Sequence, residues 1–475
     1  MPNATKNHLD PALIAIVGGG FSGVATAIRL LSSRVTVPRR VTIIESSSLL
    51  GRGTAYRTEN DAHLLNVPAG RMNPLPGEPG RFLEWLRARM SDASGGSFVP
   101  RRWFGAYLDE SLRGAADRSE GLASLEVRRG RVVRLSEGDG TLELSFEDGP
   151  PVQASRVVLA TGHASPPVPR GTSPAAVADP RFIADPWVPG WAARIPPDAP
   201  VLLVGSGLTM VDAVLELRSA GHHGPLRAVS RRGLLPSSHR GLPNDPVRQP
   251  HPPALDTVEP TILAYLRVIR SAVGEAEERG LDWRDVIASL RPVTARLWRR
   301  LPPAERARFL RHARAHWDAH RHRAAPEVAL RIAVLGAKRT LKVTAARVRA
   351  IDAREGGLVA RLQLRTGGEE EVVAGAVINC TGPDTDLSRS ADPLLRSLLD
   401  AGLIRQDPLR LGIETGGNGE VIGRDGAPSS AIYYVGPMLQ AGWWEATAVP
   451  ELAAHALRTA DRILEGIAEE RLTGS

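Results

Sequence analysis

One stretch near the start limits the fold more than any other feature of the chain. Leu13, Ile14, Ala15, Ile16 and Val17 form a continuous apolar run, the pattern of a central parallel strand covered on both faces. Gly18-Gly19-Gly20-Phe21-Ser22-Gly23 follows at once and satisfies G-x-G-x-x-G. Glycines at those positions permit a tight turn, close approach of backbone to a pyrophosphate, and packing of a helix on the strand. Ala25, Ile28 and Leu31 continue as a helix, whose first amides are available to phosphate oxygens. A second strand, Val41–Ile44, ends at Glu45, near the position where an acid bonds ribose hydroxyls. Strand, turn, helix, strand and acid in that order predict a Rossmann-like unit. Gly18, Gly20, Phe21, Ser22, Gly23 and Glu45 are its candidate cofactor contacts.

The pattern returns in the middle of the chain. Val201–Val204 reads as a strand, Gly205-Ser206-Gly207-Leu208-Thr209-Met210 as the turn, and Val211–Leu217 as the continuing helix. Met210 replaces the third glycine. The next strand, Leu226–Val229, runs into Ser230-Arg231-Arg232-Gly233 rather than an acid. An acid favours the free 2′-hydroxyl of NAD, whereas serine and arginine suit a 2′-phosphate. The expected second cofactor is therefore NADPH in preference to NADH, held by Gly205, Ser206, Gly207, Thr209, Ser230, Arg231 and Arg232. The plainer alternative makes the two arginines ordinary surface charges.

Each unit has a comparable tail. Leu125–Val133, Thr141–Phe146 and Val152–Leu159 alternate like antiparallel strands and finish in Ala160-Thr161-Gly162. Val343–Ile351, Leu358–Leu364 and Val372–Ile378 do the same and finish in Cys380-Thr381-Gly382. That is an internal duplication of architecture. Apolar residues at helical spacing between the second turn and its tail (Ile262, Tyr265, Leu266, Ile269; Trp283, Val286, Ile287, Leu290) predict a helical insert. A third insert helix is expected through Phe309, Leu310, Ala313 and Trp317. The fold class is α/β: two Rossmann-like dinucleotide-binding domains, each with a β-meander, plus a helical insert. The expected division is 1–190 and 386–475 for the FAD-binding domain, 191–250 and 331–385 for the NAD(P)H-binding domain, and 251–330 for the insert.

The 475 residues leave room for two or three domains. The net charge of +8 comes almost entirely from arginine, interleaved with Asp and Glu. With no nucleic-acid motif beside it, this charge reads as solvated faces and ion pairs rather than a nucleic-acid surface. No apolar run reaches the ~18–20 residues a membrane helix needs, and the first residues do not resemble a signal peptide, so a cytoplasmic protein is expected. Cys380 is the single cysteine. An intrachain dithiol, and with it the mechanism of the disulfide reductases, is excluded. No metal site is expected.

The chain resembles the FAD/NAD(P)-binding flavoproteins of the two-dinucleotide-binding type, and more narrowly a bacterial FAD-NAD(P)-binding group related to flavin-dependent N-oxygenases. Beyond Gly18–Gly23, the likeness rests on Gly51-Arg52-Gly53-Thr54-Ala55-Tyr56, His63-Leu64-Leu65-Asn66-Val67-Pro68, Phe82–Leu86 and Ala160-Thr161-Gly162-His163. It closes with Tyr434-Val435-Gly436-Pro437 and Trp444-Glu445-Ala446-Thr447 through Leu452. The resemblance implies that Gly53, Thr54, Asn66 and Val67 lie along the flavin side of FAD. It makes Thr161, Gly162, Gly436, Trp444 and Thr447 further contacts. Gly436-Pro437 departs from the Gly-Asp that many relatives carry. The resemblance also implies a mechanism, in which NADPH reduces FAD, oxygen adds to give a flavin hydroperoxide, and a substrate nitrogen or sulfur attacks it. The partners would then be a small-molecule substrate and molecular oxygen. A reductase or dehydrogenase without oxygen insertion, and a flavin-containing NADPH sensor, are the alternatives. The Baeyer–Villiger fingerprint F-x-G-x-x-x-H is replaced by Phe182-Ile183-Ala184-Asp185-Pro186-Trp187.

No catalytic residue is assigned. His63 and His163 read as structural, His239 as a contact to NADPH or substrate, and Arg101 and Arg102 as solvated. Trp317-Asp318-Ala319-His320-Arg321-His322-Arg323 crowds cations at a helix end, where they complement the helix dipole and offer a site for a phosphate or carboxylate.

Overall fold

Two sheets, each parallel at its centre and antiparallel at one edge, carry the architecture, one from each half of the duplication. The computed structural model describes residues 12–35, 37–74, 78–119, 121–138, 140–241 and 249–473. The first half contributes β1 (Ala12–Val17), β2 (Arg39–Glu45), β3 (Ala123–Arg129), β4 (Val132–Glu137), β5 (Leu142–Phe146), β6 (Val152–Ala154) and β7 (Arg156–Leu159). The second contributes β8 (Phe182–Ile183), β9 (Val201–Val204), β10 (Leu226–Ser230), β11 (Leu341–Arg354), β12 (Gly357–Leu364), β13 (Glu369–Ala374) and β14 (Ala376–Asn379). β15 (Glu420–Ile422) and β16 (Pro428–Tyr434) return to the first sheet.

The first sheet runs β15-β16-β7-β1-β2-β3 and the second β13-β12-β11-β10-β9-β14-β8. Around the two glycine turns the orders match: β3-β2-β1-β7 corresponds to β11-β10-β9-β14, all pairs parallel.

Apolar residues on both faces of the central strands put a layer on each side. In β1, Ile14 and Ile16 face the helix Phe21–Ser32 and the C-terminal helix Val449–Thr473, packing with Val24, Ile28, Ala456 and Ile463. Ala15 and Val17 face the other way, with Leu135, Leu144 and Leu398. In β9, Val201 and Leu203 pack with Met210, Val214 and Ile332, while Leu202 and Val204 pack with Leu358 and Leu362. Alternation along an extended chain explains the division.

The two meanders differ from the expected strands. Leu125–Val133 divides into β3 and β4, because Gly130 breaks the strand at φ 146. Val152–Leu159 divides into β6 and β7, and Val372–Ile378 into β13 and β14 around Gly375, where a Cβ would lie 2.8 Å from that of Ala199. The first meander is a separate three-stranded sheet. In the second, β11 pairs in parallel with β10 over Leu341–Ala345 and continues antiparallel to β12.

The insert comprises the helices Ala254–Thr257, Ile262–Glu278, Trp283–Ser289, Thr294–Arg300, Pro303–His312 and Arg314–Arg321. The single helix expected through Phe309 and Trp317 is interrupted at Ala313. Pro326–Ala337 runs through position 330, and its Val328 and Ile332 belong to the core of the second sheet. Among the described residues, no helix is long and apolar enough to cross a membrane.

Candidate functional site

Gly18 and Gly205 hold φ of 110° and 122°. A Cβ on Gly18 would fall far inside contact with the Ala160 carbonyl, and one on Gly205 far inside contact with the Cys380 carbonyl. Each turn therefore needs glycine first, against the end of the strand that precedes the small-Thr-Gly motif. Gly23 is equally constrained, since its Cβ would strike the Gly18 carbonyl.

Gly20 is different. The nearest atom to a Cβ there is the Gly53 Cα at 3.5 Å, so two bare backbones face each other across the turn. The Gly51 N–H donates to the Gly19 carbonyl at 2.8 Å and anchors the Gly51–Tyr56 segment. The Gly19 N–H donates to Glu45 Oε2 at 2.8 Å, and Glu45 Oε1 accepts from the Ser47 N–H at 2.8 Å. The helix Phe21–Ser32 begins with Gly20 and has no side-chain cap, leaving first-turn amides for a phosphate. These features fit the pyrophosphate and ribose of FAD. Phe21 and Ser22 are buried, Phe21 against Phe104, and Thr54 is exposed.

The second turn satisfies itself differently. Ser206 Oγ is within 2.7 Å of Ser230 Oγ and 2.6 Å of the Leu234 carbonyl, and the Gly233 N–H donates to Ser230 Oγ at 3.0 Å. Gly207, like Gly20, opens the helix that follows, and nothing lies within 4 Å of its missing Cβ. Beside the end of β10 lies a pocket of about 300 Å³ lined by Arg231, Arg232, Arg311, Arg347 and Arg365 with Ala346, Gln363 and Leu364. No acid lines it. Among the described residues none of the five arginines is ion-paired; Arg232 bonds the His312 carbonyl at 2.8 Å. Sequence reading found the first two only. Arg311 comes from an insert helix, Arg347 from β11 and Arg365 from the turn after β12, and no local pattern connects them.

The two modules meet through polar contacts. Thr54 and Thr209 line one cavity of about 170 Å³, with Asn60, His63, Trp187 and Asp212. The buried His63 ring bonds Thr58 Oγ1 at 2.8 Å and the Asp212 carbonyl at 3.0 Å, a structural arrangement. Arg101, expected in solvent, is a correction: it donates to Asp212 at 3.0 Å and to the Leu64 carbonyl at 3.0 Å. Its side chain keeps only 11% exposure. Arg102 pairs with the exposed Asp61. His239 Nε2 bonds the Asn66 carbonyl at 3.0 Å and the ring lies 5.1 Å from that of Phe98, so the segment after the second turn touches the segment 63–68. Val67 packs on the first core. His163 is exposed.

Thr161 and Gly162 follow β7, and Gly436 follows β16, the neighbouring strand. Gly436 has φ 158, and a Cβ there would meet the Tyr434 hydroxyl at 2.6 Å. Trp444 is buried and its ring turns toward the insert, 4.7 Å from Trp298 and 5.1 Å from Phe309. Glu445, buried at φ 82, accepts from Trp317 Nε1 at 2.6 Å and pairs with Arg321 at 2.8 Å. Burial opposes its charge, but Arg321 and His322 hold its carboxyl below the ordinary range. The Thr447 N–H donates to the Glu445 carbonyl, just before the helix Val449–Thr473. The cation-rich segment 317–323 is thus not a free anion patch. Arg321 is spent on Glu445, and the buried Arg323 has no hydrogen-bond partner for its Nε. Cys380 is buried, and burial pushes its thiol pKa up.

Residues 15–164 match the family described as FAD-NAD(P)-binding. Comparison with curated proteins finds no match. Among solved structures, the ornithine N-hydroxylase of Kutzneria sp. 744 is similar at 15% identity and TM-score 0.64, covering 96% of this chain and 99% of its own. The ornithine hydroxylase of Pseudomonas aeruginosa reaches 16% and 0.63, over 96% and 100%. The L-lysine 6-monooxygenase of Pseudomonas syringae reaches 18% and 0.60, over 97% and 99%. The chain has the fold of the two-dinucleotide flavoproteins, and its N-terminal part is an FAD-NAD(P)-binding domain.

Proposed function

We propose that the chain is an NADPH-dependent FAD oxidoreductase of the single-component monooxygenase type, acting on the nitrogen of an amine or amino acid. The observation that carries the cofactor pair is the contrast between the two turns. One ends its second strand in an acid, the other opens on five arginines with no acid among them. A 2′-phosphate adds two negative charges at that point of a nicotinamide dinucleotide, and guanidinium forks match its oxygens.

When bound, FAD supplies two-electron exchange with NADPH and with dioxygen. The chain's own residues bind and orient. Gly20 and Gly53 admit the pyrophosphate, Glu45 offers its carboxylate to the ribose, and the first-turn amides of the helix Phe21–Ser32 face the phosphates. The start of the helix Val449–Thr473 brings the positive end of a dipole toward the same module. Gly205, Gly207 and Thr209 receive the second dinucleotide, and Arg231, Arg232, Arg311, Arg347 and Arg365 its 2′-phosphate. The N-oxygenation reading is supported by likeness to three amino-acid hydroxylases. The single buried Cys380 bears only on disulfide-reductase chemistry, for which it offers no second thiol.

The test uses FAD-loaded protein with NADPH, an oxygen electrode and a panel of amines and amino acids. The expected result is a substrate that raises oxygen uptake and yields an N-oxygenated product in step with NADPH loss. Oxygen appearing only as peroxide with every substrate overturns N-oxygenation in favour of a reductase.

A further inference from the structure

Arg323 is a buried cation with no ion pair among the described residues. Its residue exposure is 6% and its Nε has no hydrogen-bond partner. The charges acting on it are chiefly of its own sign: Arg321, Arg284 and Arg71 all oppose it. The acid that favours it, Asp282, already binds Arg240 at 3.0 Å and Arg284 at 3.2 Å. A guanidinium taken out of water costs several kcal/mol unless something pairs with it. Burial, with the neighbouring arginines, accordingly lowers its pKa to about 10.

Its surroundings define what could pair with it. The next residue, Ala324, exchanges backbone hydrogen bonds with Ser237 and His239, at 2.9 and 3.0 Å. His239 in turn bonds the carbonyl of Asn66. Arg323 therefore sits where the insert, the segment after the second turn and the segment 63–68 converge. Trp283 lies beside it, with the guanidinium 5.8 Å from the ring centroid, and Phe98 lies against His239. Aromatic surfaces beside a planar fork suit a carboxylate on an apolar or amphipathic body. The phosphates of the second dinucleotide have their own partners at the turn Gly205–Gly207 and in the arginine pocket.

We propose that Arg323 anchors the carboxylate of a small-molecule substrate at this junction, so that the enzyme takes carboxylated substrates. The assignment rests on the NADPH–FAD reading above and gives that site its substrate class.

Calorimetric titration of FAD-loaded protein with benzoate, its neutral isostere benzamide, and inorganic phosphate tests it. Benzoate is expected to bind saturably and at least tenfold more tightly than benzamide or phosphate. Arg323→Met should weaken benzoate at least tenfold and Arg323→Lys by less. FAD content should stay unchanged, NADPH affinity should stay within twofold, and Tm should be equal or higher, because an unpaired buried charge is removed. A structural arginine would instead lower Tm on replacement. The inference is overturned if wild-type protein does not bind benzoate, if benzamide binds equally well, if R323M leaves benzoate binding intact, or if its loss falls on NADPH. Failure of the underlying reading looks different: the purified chain would not take up FAD at all.

Discussion

The two glycine turns are built on one plan and differ where their ligands should differ. Both need glycine first, at nearly the same φ, against a carbonyl at the end of the neighbouring parallel strand. Both open a helix with a bare glycine. Their third positions diverge. In the first turn a Cβ on Gly23 has no room beneath the Gly18 carbonyl, while the second accommodates Met210, fully buried among Val201, Val214 and Ile332. Their second strands diverge too, one closing on Glu45 and the other on Ser230 beside five arginines. The lesson is that the phosphate-binding geometry is shared, whereas helix packing and the ribose end are set separately in each copy.

Exchanging features between the copies tests that contrast. The largest effect is expected for Gly20→Val, which should give folded but colourless protein. A Cβ there makes only ordinary contact with the Gly53 Cα, at 3.5 Å, while the branched side chain fills the approach to the pyrophosphate. Gly207→Val should keep its flavin and lose NADPH binding at least tenfold. Flavin absorbance and NADPH titration read both, and yellow G20V protein would break the comparison.

Next, Gly23→Ala forces a side chain into a carbonyl and should cost about 3 kcal/mol, while Met210→Ala leaves a cavity and should cost about 2–4 kcal/mol. Urea unfolding measures both. A tolerated G23A would mean the first turn is as permissive as the second.

The double change Arg231→Ala and Arg347→Ala should weaken NADPH about 30-fold, roughly 2 kcal/mol, with NADH nearly unaffected. Equal losses for both nucleotides would remove the 2′-phosphate assignment. Ser230→Glu, which copies the first module's acid into the second, should lower the NADPH-to-NADH affinity ratio about tenfold, or ~1.4 kcal/mol.

The smallest effect concerns the contact between the copies. Burial, then the nearby Arg323, lowers the pKa of His239 from its ordinary value to about 3. The native state therefore binds its proton later than the unfolded chain. Stability from this group is present above about pH 6.5 and is lost as pH falls toward 3. Between pH 6.5 and 5.5 the loss should be about 1 kcal/mol, and His239→Asn should flatten it. Identical pH dependence in wild type and variant would remove His239 from the acid response.

Much of this was legible in the chain because the signals are local. Apolar runs, glycine spacing and the duplicated tail identify the parallel centres of both sheets and the turns at Gly18 and Gly205. The strand breaks at Gly130 and Gly375 carry no clear local mark, because apolar residues stand within three positions on both sides of each glycine. Arg101 carries no local mark of burial either, because its partner Asp212 lies 111 positions away.

What the sequence determined by itself is the pair of dinucleotide turns, because each is written within about 30 consecutive residues whose backbone must bend and pack in one way. Tertiary structure decided which side chains surround those turns. The arginine pocket is assembled from elements more than a hundred positions apart, and Arg323 is buried, with no ion pair among the described residues, where three segments converge on it. Charge and burial at a site depend on which distant elements pack together, and a short local pattern does not contain that information.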